Sequence, residues 1–345
     1  MNDFRLPLGD LAEGFIDVLT DTLGWFFAII RTVFLAFYDA VEFVLATPPF
    51  WIVIVALAAL AWFLKGWKLS LGTALGLLVI VGVDQWDHAM ESLALVLVAS
   101  TIAIALAVPV GIWTARSDLA SRIVRPVLDF MQTMPAFVYL IPALILFRVG
   151  VVPGIVATIV FAMAPGVRLT ELGIRGVDKE VVEAGHAFGA SPGRILRQIQ
   201  LPLAMPSIMA GVNQVIMLSL SMVVIAGMVG AGGLGGDVVA SLNRIDVALG
   251  FEAGLSVVIL AIILDRITGA LGSGAGRRRA GRKSSSQATG AQATTAQATG
   301  AQATSAPATG ASATSAPDAA AQATTSPTAA SAAPAADAPV PARTA

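Results

Sequence analysis

The polar residues best placed to do chemistry are gathered in one run, EAGHAFGASPGRILRQIQLP, at 183–202. Just before this run, Asp178 is a residue type that caps the start of a helix. Gly189 is a residue type that ends one, because it accepts the backbone conformation of a C-terminal stop. The pattern therefore predicts a first short helix over about 179–188.

A second short helix is predicted to follow at once. Ser191 can cap it, and Pro192 occupies its first position, where proline is favoured. Pro202 and Pro206 are expected to limit it, because neither can donate a backbone hydrogen bond. The segment 178–203 is thus predicted to form a helix, a sharp turn and a second helix.

The chemistry open to this segment is docking onto another protein. Its predicted outward surface combines apolar and basic or polar side chains, namely Phe188, Ile195, Ile199, Arg194, Arg197 and Gln198. An apolar knob with a basic rim is how a helix enters a groove on a partner. The small residues Ala184, Gly185 and Gly189 would let that partner approach the backbone closely. The alternative is a plain connector between two membrane spans, since short connections are the default.

Signatures of catalysis are missing from the sequence. It has no G-x-x-x-x-G-K-[ST] loop to hold a nucleotide phosphate, so the chain is not expected to hydrolyse ATP. It has no H-E-x-x-H, and its two histidines, His88 and His186, are interpreted as surface side chains. It has no cysteine for a disulfide or a thiolate metal site. We therefore expect no enzymatic activity and no bound metal or cofactor.

The composition is that of an integral membrane protein. Of the 345 residues, 56% are hydrophobic and only 12% are charged, whereas soluble domains carry about 25% charged residues. Seven membrane spans are predicted, at 50–64, 69–83, 90–113, 130–149, 151–170, 207–230 and 247–268. The fold class is therefore all-α, with two peripheral spans in 49–84 and a core over 86–270.

The N-terminal segment, residues 1–48, is predicted to be amphipathic and extracytoplasmic. Within 10–46, polar residues fall on about one quarter of a helical wheel, namely Asp17, Asp21, Arg31, Tyr38, Asp39 and Glu42. This pattern favours a helix lying at the membrane surface. The alternative is a tilted spanning helix that turns its charges inward, which is costly in a bilayer.

Lysine and arginine follow alternate spans. Basic residues cluster after the first, third, fifth and seventh spans, and the other connections are poor in them. Because cytoplasmic loops carry the excess of Lys and Arg, we predict a multi-pass protein with its N-terminus outside and its C-terminus inside. The last part, 271–345, is basic as far as Lys283 and then becomes a low-complexity stretch rich in Ala, Thr, Gln and Pro. We predict that it is a disordered cytoplasmic tail.

Charges are almost absent from the middle of the spans. The exceptions lie near predicted span ends, where they could reach lipid headgroups: Glu91, Arg168, Glu171, Asp265 and Arg266. An ion-coupled carrier would more typically place a carboxylate at mid-bilayer, so this class is disfavoured. A third class, a membrane scaffold without transport activity, is supported only by the tail.

Small and amide residues in the spans have simple structural interpretations. Close helix packing or ordinary spacing would equally explain five glycines: Gly154, Gly166, Gly211, Gly227 and Gly230. Asn213 and Gln214 are expected to form hydrogen bonds between helices rather than contact a substrate. The glycine cluster at 227–236 is predicted to be a turn and not a nucleotide loop.

The 183–202 run resembles the E-A-A-x3-G-x9-I-x-L-P signature of membrane subunits of bacterial binding-protein-dependent ABC importers. The matching residues are Glu183, Ala184, Gly189, Ile199, Leu201 and Pro202, and Gly185 stands where the signature has alanine. The resemblance implies a type I ABC importer permease fold in the bacterial cytoplasmic (inner) membrane. It also implies that these seven residues belong to the coupling helix that inserts into a separate ATPase subunit, which would bind the ATP and magnesium.

The wider sequence, from about 50 to 270, is similar to the glycine betaine/proline betaine permeases of osmoprotectant importers. The similarity is carried by LDFMQTMPAFVYLIPALILF, FGASP and QLPLAMPSIMAGVNQVIMLSLSMVVIAGMVGAGGLG. It implies a permease homodimer in membrane lipid, working with the ATPase and with an extracytoplasmic substrate-binding protein, without nucleic acid. Choline, carnitine or another amine or amino acid is the alternative substrate.

Overall fold

The computed structural model describes residues 8–270, and this range is helical throughout apart from short turns. The helices are α1 Leu8–Ala46, α2 Phe50–Lys65, α3 Trp67–Gly82, α4 Trp86–Arg116, α5 Asp118–Thr133, α6 Ala136–Phe147, α7 Val151–Arg175, α8 Lys179–Ala187, α9 Pro192–Ile195, α10 Leu201–Gly227, α11 Gly233–Arg244 and α12 Val247–Ala270. The predicted tail, 271–345, lies outside the described residues, as do residues 1–7. The predicted all-α membrane fold is confirmed.

Helices α4, α7 and α10 form the centre of the bundle, and small residues bring them together. A β-carbon on Gly166 of α7 would lie 2.9 Å from the side chains of both Ala107 on α4 and Val215 on α10. One turn further along the same α4–α7 interface, a β-carbon on Gly111 would lie 2.6 Å from Thr170 Cβ. These separations leave no room for a methyl group, so the glycines set the distance between the helix axes.

The other four glycines named above also stand where an added β-carbon would meet a neighbouring residue. A β-carbon would lie 2.8 Å from Ala226 Cβ at Gly154, 3.1 Å from Leu169 Cβ at Gly211 and 2.9 Å from Val149 Cγ1 at Gly230. At Gly227 it would overlap the backbone of Gly235. Close helix packing is therefore confirmed for Gly154, Gly166, Gly211 and Gly227, whereas Gly230 lies in the turn after α10.

Helix α1 packs along the bundle against α4, α6 and α7. Tyr38 is buried in the main hydrophobic core, and Phe27 makes an edge-to-face contact with Phe147 of α6. The polar stripe predicted on α1 is divided between two environments. Asp17, Asp21, Arg31 and Asp39 are exposed, whereas Tyr38 is buried and Glu42 is partly buried near Glu91. The surface placement of α1 therefore stays a prediction.

Helices α2 and α3 form a hairpin with a single residue between them. Gly66 makes this turn possible, because its φ of +92° is unfavourable for residues with a side chain. Each helix has 16 residues, or about 24 Å, which is less than the roughly 30 Å of a bilayer core. The two predicted peripheral spans are thus present as helices, but both are short.

Within residues 8–270, four helical segments are long and apolar enough to cross a membrane: α4, α7, the continuous Pro192–Gly227 and α12. Two bent pairs, α1 with α2 and α5 with α6, raise this number to six if each pair is one span. The span predicted at 130–149 is not one continuous helix, because the chain bends by 99° between α5 and α6. Met134 is extended there, with ψ of 138°, as expected for a residue before Pro135.

Candidate coupling site

The first helix of segment 178–203, hereafter the corner segment, forms as predicted. Asp178 caps α8, and its Oδ1 accepts a hydrogen bond from the backbone N–H of Glu180 at 3.0 Å. Gly189 then reverses the chain with φ of +73°. The turn is closed by the N–H of Ala190, which donates to the carbonyl of Gly185 at 3.1 Å. The predicted glycine stop at 189 is therefore confirmed as a backbone feature.

The second helix begins at the predicted residue but does not end as predicted. Pro192 opens α9, and Ser191 stands at the cap position, although its side chain makes no capping hydrogen bond. Pro202 and Pro206 do not limit this helix, because α9, a π-helical turn at Leu196–Gln200 and α10 run on as one 36-residue helix, Pro192–Gly227.

The π-helical turn explains why Pro202 does not end the helix. The N–H of Leu201 donates to the carbonyl of Leu196, five residues back, which is the π-helical pattern. Pro202 follows directly, at the position where the backbone changes from π-helical to α-helical hydrogen bonding. This change leaves one carbonyl without a donor whether or not residue 202 is a proline. The missing N–H of this proline therefore costs little.

The inner side of the corner segment is closely packed. Gly185, Ile195 and Leu196 are buried, and Leu196 joins a small core with Ile174 and Ile208. The predicted position of Ile195 on the outward surface is therefore wrong, because its side chain lies beneath α8 and against Gly185. A helix that continues into the bundle turns its apolar side inward, and Ile195 lies on that side.

The outer side of the corner segment carries one apolar side chain among charged ones. Phe188 is 92% exposed, and Glu183, His186, Arg194 and Arg197 around it in the sequence are exposed as well. Exposure of a phenyl ring to this extent leaves its apolar area without a partner in the chain. Of the three apolar side chains predicted on the outward surface, only Phe188 is exposed.

The seven predicted site residues divide between these two sides. Glu183, Ala184, Gly189 and Pro202 are exposed, and Gly185 is buried, whereas Ile199 and Leu201 are partly buried. Gly185 and Ile199 are brought into direct contact. Leu201 lies against the small core beneath the segment.

A cavity of about 520 Å³ separates α8 from the ends of α4 and α7. Its lining alternates charged and apolar side chains, including Arg116, Ile174, Lys179, Glu183, His186 and Ile195. Over part of its inner side, the corner segment is therefore separated from the bundle by this cavity. A segment held in this way has fewer packing contacts to resist displacement than one embedded in the core.

A buried carboxylate that the sequence analysis placed near lipid headgroups lies beneath this region. Glu171 is 2% exposed, and its Oε1 accepts hydrogen bonds from Ser121 Oγ at 2.7 Å and Arg125 at 2.9 Å. Arg175 Nε adds an ion pair at 3.0 Å. The spacing of Glu171 and Arg175, four residues apart on one helix, was the signal that could have predicted the pair.

Arg175 adds a second contact to α5 and extends this cluster to one further helix, α4. It donates to Asp118 Oδ1 at the start of α5 and to the carbonyl of Thr114 near the end of α4, both at 2.8 Å. The ends of α4 and α7 and the start of α5 are thereby joined immediately before the corner segment. The cluster fixes the base from which α8 projects.

The opposite end of the bundle is held by the glycine cluster at 227–236. The backbone N–H of Gly233 donates to Glu91 Oε2 at 2.8 Å, and that of Leu234 donates to Ser92 Oγ at 2.9 Å. The cluster is a turn followed by the start of α11, as predicted. His88 is not an unpartnered surface side chain, because its Nδ1 pairs with Asp237 on α11.

The amide in α10 also joins helices. Asn213 donates to Asp265 Oδ1 at 3.2 Å and accepts from the hydroxyl of Thr268, both on α12. The prediction of interhelical hydrogen bonding is confirmed for Asn213. Gln214 is exposed instead.

The sequence matches known proteins over most of its length. The family described as "Binding-protein-dependent transport system inner membrane component" matches residues 107–276. The chain is 47% identical to the glycine betaine transport system permease protein OpuAB of Bacillus subtilis, over 76% of this chain and 94% of that protein. It is 46% identical to the glycine betaine/proline betaine transport system permease protein ProW of Escherichia coli, over 74% of each chain.

Two further comparisons agree with these. The glycine betaine/carnitine transport permease protein GbuB of Listeria monocytogenes is 47% identical, over 76% of this chain and 94% of its own length. Among solved structures, an inward-facing form of the MetNI methionine ABC transporter matches with a TM-score of 0.51 and 22% identity. That match covers 55% of this chain and 95% of the other, and it shows the type I importer fold. The chain belongs to the binding-protein-dependent transport system inner membrane components and is a permease subunit of an ABC importer.

Proposed function

We propose that this permease carries glycine betaine, proline betaine or a closely related osmoprotectant into the cell. The proposal rests on the substrates in the names of relatives that are 46–47% identical over most of their length. Carnitine is the next candidate, because GbuB, one of these relatives, is named for both glycine betaine and carnitine. Choline is a weaker candidate, since the choline permease OpuBB is 32% identical over 51% of this chain.

We further propose that the corner segment receives the motion of a separate ATPase subunit. The observation that carries this proposal is the exposed ring of Phe188 directly before the left-handed turn at Gly189. A ring of this kind fits an apolar pocket on a partner, and the surrounding Arg194 and Arg197 supply a basic rim. Glu183, Ala184, Gly189 and Pro202 are exposed and can touch the partner directly. Gly185, Ile199 and Leu201 support them from the inner side.

The working assembly in this proposal contains two permease copies, two ATPase subunits and one extracytoplasmic binding protein. ATP and magnesium are bound by the ATPase, and this chain contributes the pathway and the corner segment. The N-terminus lies outside the inner membrane and the C-terminus inside, which is supported by the alternating distribution of Lys and Arg. The absence of cysteine makes the orientation easy to test.

Single-cysteine variants test the orientation in intact cells. Ser191→Cys, in the corner segment, is expected to react with a membrane-impermeant maleimide only after the cells are opened. Leu242→Cys, which replaces a 72% exposed residue of α11, is expected to react from outside. The reverse labelling pattern would reject both the orientation and the coupling role.

The transport proposal is tested by co-expressing the chain with its cognate ATPase and substrate-binding protein. Uptake of labelled glycine betaine is measured, with proline betaine, carnitine and choline as competitors. Phe188→Ala is expected to reach the membrane normally but to lose co-purification of the ATPase and uptake. Phe43→Ala, which removes another exposed ring on α1, serves as the control. Normal ATPase retention and uptake in Phe188→Ala would contradict the docking role, and uptake of carnitine alone would contradict the substrate.

A further inference from the structure

A groove of about 440 Å³ runs between the α2–α3 hairpin and α12. Apolar residues such as Leu69 and Ile262 line its length, together with the small Gly72. Three cationic side chains, Lys65, Lys68 and Arg266, line the same groove. The groove therefore combines a long apolar surface with concentrated positive charge.

The positive charge is not neutralised by the described part of the chain. Within residues 8–270, Lys65, Lys68 and Arg266 take part in no ion pair. Like charges that line one groove repel one another, and a bound anion relieves this repulsion. Arg125 and Arg175, by contrast, share the carboxylate of Glu171.

Aromatic side chains mark the depth of this groove in a membrane. Trp62, Phe63 and Trp67 flank the two lysines and are 63%, 90% and 62% exposed. Tryptophan is enriched where a membrane protein crosses the headgroup layer, because the ring is apolar and its N–H is polar. The Lys65–Lys68 end of the hairpin therefore lies at headgroup level, and the apolar part of the groove extends from there toward the hydrocarbon.

We propose that this groove binds an anionic phospholipid of the bilayer. Lys65, Lys68 and Arg266 hold the phosphodiester and headgroup, and an acyl chain lies along Leu69 and Ile262. Free phosphate would use the cations but leave the apolar length of the groove exposed. A zwitterionic lipid would fill that length but would leave the positive charge uncompensated.

The test is lipid retention by the full chain, measured by native mass spectrometry after exchange into an equal mixture of phosphatidylglycerol and phosphatidylcholine. The wild-type chain is expected to retain phosphatidylglycerol in preference. Lys68→Gln and Arg266→Gln are each expected to weaken this retention about fivefold. Arg122→Gln, which removes an exposed cation on α5 away from the groove, is expected to leave it unchanged.

A second pair of variants tests the groove without altering charge. Gly72→Leu places a side chain into open space inside it, and Gly82→Leu does the same at the far end of α3, where the chain also leaves room. Gly72→Leu is expected to abolish lipid retention and Gly82→Leu to preserve it. Because neither change meets a clash, a loss confined to Gly72→Leu cannot be attributed to misfolding of α3.

Three results would overturn the proposal. Equal retention of the two lipids by the wild-type chain would remove the role of charge. Displacement of phosphatidylglycerol by millimolar inorganic phosphate would make this a phosphate site. A crosslink from Lys68 to a second copy of the chain or to an ATPase subunit, with lipid retention unaffected by the variants, would make the groove a protein interface.

Discussion

The side chain of Ile199 lies against the backbone of Gly185, so that a β-carbon at residue 185 would be 2.9 Å from Ile199 Cδ1. Ile195 Cγ1 would be 3.4 Å from the same point. These two contacts join α8 to the helix that follows the turn. The position where the importer signature has alanine is thus an internal contact of the corner segment and not part of its exposed surface.

Gly185→Ala is expected to be tolerated and Gly185→Leu is not. The atom that meets an alanine methyl is the end of a flexible side chain, which can move by the few tenths of an ångström required. Alanine also favours the helix over glycine by about 0.5–1 kcal/mol. Leucine would have to displace both isoleucines. The measurement is co-purification of the ATPase together with uptake of glycine betaine, and an equal loss in both variants would contradict this account of the contact.

Gly189→Val is expected to prevent uptake while the protein reaches the membrane at a normal level. The open space around Gly189 excludes a clash, so the effect comes from its φ of +73°, which valine adopts at a cost of about 1–3 kcal/mol. Gly189→Asn is the matched control, because asparagine accepts this conformation more readily. Membrane level, ATPase retention and uptake are measured for both. Wild-type uptake by Gly189→Val would return the corner segment to the role of a plain connector.

Glu171→Gln is expected to lower the thermal stability of the detergent-purified protein. The change removes the charge that Arg125 and Arg175 share, and hydrogen bonds to charged groups contribute about 1.5–3 kcal/mol each. We expect the loss of stability to lie toward the lower end of this range, because 58% of the Arg125 side chain is exposed and solvent weakens its interaction with Glu171. Glu13→Gln, an exposed residue of α1, controls for the same chemical change. An unchanged unfolding temperature in Glu171→Gln would show that the cluster does not hold α4, α5 and α7 together.

Two adjacent glycines of α11 are expected to respond oppositely to alanine. At Gly235 a methyl group would overlap the carbonyl oxygen of Val223 on α10, whereas at Gly236 it would meet nothing within 4 Å. Overpacking costs about 1–3 kcal/mol even where side chains can move, and here the obstacle is backbone. Gly235→Ala is therefore expected to reduce the folded yield severely and Gly236→Ala to leave it unchanged. Similar yields, measured by size-exclusion chromatography, would contradict the packing of α10 on α11.

Local backbone signals were the parts of this protein that the sequence predicted best. Asp178 caps a helix and Gly189 stops it because each acts on backbone atoms within a few residues. The same holds for the residue before Pro135, although its consequence was underestimated. One span was predicted over 130–149, and the chain instead turns through 99° because Met134 leaves the helical conformation, with ψ of 138°.

Features that depend on distant parts of the chain were predicted less well. Pro202 and Pro206 carry the ordinary signal for the end of a helix, and only the π-helical turn before them shows why the helix continues. Ile195 was assigned to the outer side because the continuation of its helix into the bundle was not visible. His88 and Asp237 are separated by 149 positions, and no local pattern connects them.

The unbroken helix from Pro192 to Gly227 has a mechanical consequence. Its 36 residues span about 54 Å, so it joins the corner segment to the opposite end of the bundle. A rigid tilt of this helix would therefore move both ends together. A tilt of about 5° would displace one tip by roughly 5 Å relative to the other. The helix has one flexible segment, between the π-helical turn and Pro206, where backbone hydrogen bonding is interrupted. A displacement at Phe188 would therefore either bend the helix at this segment or move Gly227 at its other end. Gly235 would move with Gly227, because their backbones are in close contact.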